Sequence, residues 1–130
     1  MRIATSHRLV PLILAATFGC GPREPLTVSA VQVGRALNSD NSIAAHTTRF
    51  APEDTIYTSV LTERPGTAAL TVRWLYSGRL VSEVQKTVSY TREAATEFHI
   101  QNSGGFPAGE YQVEIFVNGK RWGVRGFRVE

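Results

Sequence analysis

Glu110-Tyr-Gln-Val-Glu-Ile-Phe-Val-Asn-Gly-Lys-Arg-Trp-Gly-Val-Arg-Gly-Phe-Arg-Val129 is the stretch that decides the fold. Asn118-Gly119 lies between two β-rich arms. Both central positions of a tight hairpin turn need positive φ, and Asn-Gly meets that need best. In the first arm Tyr111, Val113, Ile115 and Val117 share one face, while Gln112, Glu114 and Phe116 share the other. In the second arm the apolar parity moves from Trp122 and Val124 to Phe127 and Val129. A bulge near Gly123 or Gly126 accounts for that shift.

Upstream, the same grammar repeats. Leu70 to Tyr76 runs into Ser77-Gly78, and a second arm starts at Arg79 and continues past Val84 toward Tyr90, with a break on the way. Val28 to Val33 and Asp54 to Thr62 are rich in β-branched residues and read as strands. Thr96 to Ile100 alternates, with Phe98 and Ile100 on one face and His99 on the other. Asn38-Ser-Asp-Asn-Ser42, Arg64-Pro-Gly66 and Asn102-Ser-Gly-Gly105 are turn material. Thr91 to Ala95 favours helix but is too short to form one alone. About seven strands with turns every eight to twelve residues predict an all-β chain: a seven-strand antiparallel sandwich of two sheets.

Two features of that pattern resemble immunoglobulin-like or fibronectin-III-like bacterial sandwiches. Trp74 lies on the third strand, where such folds bury a tryptophan. Pro107-Ala-Gly-Glu-Tyr111-Gln-Val113 looks like a tyrosine corner, with Val113 where a cysteine would otherwise sit. The resemblance covers roughly Val28 to Glu130 and implies no inter-sheet disulfide. Phe50 to Tyr57, Gly105 to Tyr111 and Phe116 to Gly119 are also similar to small bacterial Ig-like lipoproteins, a likeness that implies no activity.

The N-terminus suggests where such a domain resides. Arg2, His7 and Arg8 precede a short apolar run, Leu9 to Ala16, and the chain's single cysteine, Cys20, follows. This order reads as a secretory signal. With Gly19 before it, Cys20 resembles the lipobox cysteine of bacterial lipoproteins, whose thiol is acylated and becomes the mature N-terminus. Thr17 and Phe18 depart from that pattern. Ordinary secretory cleavage before Cys20 is the alternative, whereas a spanning anchor needs ~20 apolar residues, far more than this run. One leftover thiol at a signal boundary is best explained by acylation. The expected organisation is residues 1–19 as signal peptide, 20–27 as acylated cysteine and short tether, and 28–130 as the sandwich. Gly21 in place of Asp implies, by resemblance, lipid anchoring at the outer membrane facing the periplasm.

Charge removes one class of partner. The chain has 14 Lys/Arg against 11 Asp/Glu. Arg2 and Arg8 leave with the signal, so the mature part is almost neutral. No nucleic-acid partner is expected on that basis. His46 and His99 share no ligand spacing, Glu53-Asp54 reads as a solvated turn, and no metal or other cofactor is expected. A Ser-centred hydrolase motif is lacking. No catalytic residue is assigned, and an enzyme is not expected. The expected role is a membrane-tethered, non-catalytic module that binds a protein partner in the cell envelope. A glycan- or small-ligand-binding module is the alternative. The expected contact surface is the last hairpin. There Phe116 and Trp122 would form an exposed aromatic pair across the turn, rimmed by Lys120, Arg121 and Arg125.

Overall fold

The computed structural model describes residues 26–130. Cys20, the expected signal segment and most of the expected tether lie outside the described residues. The strands are β1 (Val28–Gly34), β2 (Arg49–Phe50), β3 (Ile56–Thr62), β4 (Gly66–Tyr76), β5 (Arg79–Tyr90), β6 (Ala94–Ile100), β7 (Gly109–Val117) and β8 (Lys120–Val129). They form two sheets, ordered β1-β3-β6 and β2-β8-β7-β4-β5.

The seven long strands pair antiparallel, as their alternation requires. The eighth strand, β2, is an addition to the expected set. It pairs parallel with the end of β8, Arg49 with Arg128 and Phe50 with Val129. Its value is burial: Phe50 sits in the core, its ring edge-on to Phe127 at 5.4 Å.

The two tight turns form as read. Ser77 and Asn118 take positive φ (49° and 51°), followed by Gly78 and Gly119 (81° and 80°). Asn118 also ties its hairpin to β4. Its amide nitrogen donates to the Ala69 carbonyl at 2.8 Å, and its side-chain oxygen accepts from the Ala69 nitrogen at 2.9 Å.

The inward faces of the two sheets make one core, with Trp74, Val72, Leu70, Val113, Ile115, Tyr111, Phe98, Ile56 and Val60 buried. Phe127 joins its aromatic members, stacked on Tyr111 at 5.2 Å and edge-on to Trp74 at 6.2 Å. The Tyr111 hydroxyl donates to the Pro107 carbonyl at 2.7 Å, which completes the tyrosine corner. On the β5/β6 side, Lys86 bridges the gap between the sheets. Its ammonium donates to the Glu97 carbonyl and lies 4.8 Å from the centre of the Phe98 ring.

Two bulges fix the corners of the larger sheet. In β8, Ile115 faces Gly123 and Phe116 faces Arg121, so Trp122 is the extra residue. In β5, Trp74 faces Ser82 and Leu75 faces Leu80, so Val81 is the extra residue. A bulge puts neighbouring side chains out of strict alternation. Both bulged strands are bordered on one side only over these segments.

Candidate functional site

The expected Phe116–Trp122 pair does not form. Phe116 keeps the parity of its strand and lies on the outer face of the sheet, opposite Thr71 and Arg121. The Arg73 guanidinium approaches its ring at 6.0 Å, and Arg73 is itself paired with Glu83 at 3.1 Å. Trp122, displaced by the bulge, turns to the inner side and packs against the rim of the core. Both rings are half-buried, on opposite faces. Parity reasoning needs an uninterrupted strand, and the bulge falls between these two residues.

The basic rim divides in the same way. Arg121 stays on the Phe116 side, its Nε 3.2 Å from Glu114. Arg125, at an inward-parity position opposite Val113 on the open border, lies over Trp122 at 5.4 Å from the ring centre. Arg128 pairs with Glu110. Arg125 and Arg128 both follow the bulge.

Trp122 lines a hollow of ≈ 440 Å³ with Leu26, Thr27, Val28 and Val117, and Lys120 and Arg121 stand at its mouth. Leu26 is held there by a hydrogen bond from its nitrogen to the Thr67 carbonyl (3.2 Å). The hollow therefore lies at the end of the sandwich where the described residues begin.

A second hollow, of ≈ 480 Å³, lies at the opposite end, between the start of β5 and the end of β6. Its wall includes Tyr76, Val81, His99, Phe106, Pro107 and Tyr111. Tyr76 is fixed against Tyr111, ring centres 4.6 Å apart, and its hydroxyl donates to the Ala108 carbonyl at 2.8 Å. Beside this hollow stand Leu80 and Val81, 52% and 48% exposed, the large apolar side chains left in solvent among the described residues. In the sequence they stand as ordinary residues of a strand arm. The available signal was the adjacency of two apolar residues directly after a tight turn, since consecutive strand positions cannot both face inward.

Of the titratable side chains considered for chemistry, Asp54 and His99 are engaged elsewhere. The Asp54 carboxylate accepts from the Ala51 nitrogen at 2.7 Å and pairs with Arg35 at 3.2 Å. His99 projects outward, as expected, and pairs with Glu97. Asp40 is held below the usual carboxylate range by the Ser42 hydroxyl and then by the Ser42 amide. Among the described residues no group of three or more His, Cys, Asp or Glu is placed to hold a metal ion, and no helix is long and apolar enough to cross a membrane.

Among solved structures, the chain is similar to an immunoglobulin-like protein from Pseudomonas aeruginosa. The TM-score is 0.57 at 14% identity, over 85% of this chain and 100% of that one. It also aligns with 30% of a Pseudomonas fluorescens alkylpurine DNA glycosylase, at 16% identity, 77% coverage of this chain and a TM-score of 0.47. With a beta-glucosidase from Listeria innocua the values are 16% of that chain, 11% identity, 82% of this chain and 0.48. No protein-family model and no curated protein matches the sequence. The first likeness is one of fold, and the sandwich is immunoglobulin-like.

Proposed function

We propose that this chain is a lipid-anchored, non-catalytic Ig-like module of the bacterial cell envelope, and that it holds a protein partner at the end of the sandwich remote from its anchor. Acylation of Cys20 supplies the anchor, at the outer membrane facing the periplasm. The observation that carries the binding reading is the pair Leu80 and Val81, exposed side by side on an open corner next to the Tyr76–Phe106 hollow. Adjacent exposed apolar side chains bordering a concave surface are typical of protein contacts. A glycan reading has less support, because Phe106 and Tyr111 in that hollow are 5% and 2% exposed and the partly buried Tyr76 ring is turned against Tyr111.

The test is photo-crosslinking in native membranes, with a photoreactive amino acid at position 80 and, as control, at position 64. A partner joined from position 80 and lost on Val81→Lys is the expected result. Equal products from both positions, or none from position 80, would sink the distal surface. The anchor is tested separately: Cys20→Ser is expected to move the protein from the membrane to the soluble fraction, and unchanged retention overturns lipidation.

A further inference from the structure

We propose that the hollow around Trp122 is a bilayer-contact site, in which the indole settles among the headgroups of an anionic membrane with Lys120 and Arg121 at the phosphates. This rests on the anchored reading for delivery to the membrane, but its own residues carry the contact.

Position comes first. Leu26, the first described residue, lines the same hollow as Trp122. Cys20 precedes it by six residues, so an extended link reaches about 20 Å at most. An anchored domain on so short a link presents its tether end to the bilayer. A folded protein of 100 residues has a radius of gyration of about 13 Å and is more than 26 Å across. The space beneath the domain is thus too shallow for a globular partner, and the bilayer is the surface within reach.

Chemistry agrees with position. Trp122 is half-buried, packed at the rim of the core and lining the hollow with Leu26, Val28 and Val117. Tryptophan is the residue that prefers the membrane–water interface, where an apolar ring and a polar N–H are both accommodated. Arg125, over the ring, adds a cation at the same depth. The turns that share this end carry Glu63, Arg64, Arg92 and Glu93. With Lys120 and Arg121, that makes four exposed cations, against Glu63, Glu93 and the neighbouring Asp40, while Arg121 also pairs with Glu114. Lys120, Arg64 and Arg92 have no ion-pair partner among the described residues. Cations this close to an anionic surface each strengthen attachment about fivefold.

The two tryptophans make the test simple. Trp74 is fully buried and Trp122 is not. Acylated full-length protein and the Cys20→Ser chain are floated with phosphatidylcholine vesicles, with and without 30% phosphatidylglycerol, using brominated acyl chains as quenchers. Expected is quenching in the floated fraction at 30% anionic lipid, abolished in Trp122→Phe and weakened at least tenfold in vesicle affinity by Lys120→Glu with Arg121→Glu. Flotation without quenching overturns the contact site and leaves the anchor standing. If Cys20→Ser floats as well as the wild type, the anchor reading fails; quenching of that chain still supports the contact site, and its absence overturns it. Quenching equal in both lipid mixtures overturns the anionic recognition. A protein crosslinked from position 122 in native membranes overturns the bilayer as occupant.

Discussion

The Tyr111 hydroxyl donates to the carbonyl of Pro107, four residues upstream, at 2.7 Å, and so fastens the β6–β7 connection to the core. Tyr111→Phe keeps the ring stack on Phe127 and removes that bond alone. The expected loss is about 1 kcal/mol in urea unfolding. Burial, and then the nearby Tyr76, raise the Tyr111 pKa above its ordinary 10.0. The folded chain therefore keeps this proton to higher pH than the unfolded chain does. The associated stability is complete below pH 10 and is lost as pH rises through the folded value. Tyr111→Phe is expected to flatten that alkaline decline, while an unchanged slope would assign it to other groups.

Trp74 is fully enclosed, and its indole nitrogen has no partner among the described residues. Trp74→Ala should cost ~3–5 kcal/mol, enough to threaten folding. Trp74→Phe gives up volume but also removes the unpaired donor, so it should cost clearly less. Thermal melts of the two variants check the order.

Gly34 and Gly123 should respond oppositely to a methyl group. A Cβ at Gly34 would lie 2.2 Å from the Ala45 carbonyl oxygen and 2.4 Å from the Ile43 methyl, so the 43–46 segment would have to move. Gly34→Ala is expected to cost about 1–3 kcal/mol. At Gly123 a Cβ meets nothing within 4 Å. Gly123→Ala, which also restricts the unfolded chain, should be neutral or stabilising by up to about 1 kcal/mol.

Asn118→Ala loses the bond to the Ala69 nitrogen and places alanine at φ 51°. An expected cost of about 1–2 kcal/mol follows from the left-handed backbone alone. Asn118→Gly relieves the backbone but still lacks the side-chain bond, so it should fall between alanine and wild type.

These residues also mark how far the sequence could be read. Both hairpins, the tyrosine corner and the burial of Trp74 were legible, because turn chemistry and period-two alternation are local. The parity shift made a β8 bulge near Gly123 or Gly126 legible; it falls at Trp122, and Val124, which the spacing groups with Trp122, lies opposite Glu114 on the outer face. The effect of the bulge on Trp122 was not legible, since the direction of a bulged side chain depends on which strand position is doubled. Arg49-Phe50 carries no strand signal of its own. Two residues become a strand only because the far end of β8 offers free backbone groups and the core has room for Phe50. The exposure of Leu80 and Val81 is not legible for a related reason: nothing local distinguishes an apolar residue facing the core from one left on an open corner.

Val81 and Trp122 have a bearing on crowding as well. They interrupt the two borders of the larger sheet at opposite ends. A strand from a second copy, laid along β5 or β8, would find matched backbone groups over only part of its length. Uninterrupted borders are what let β-proteins zip into fibrils. Deleting either residue to restore a straight border is expected to speed fibril growth in concentrated solution, followed by light scattering. The irregularities that shape the two hollows thus also keep neighbouring molecules separate.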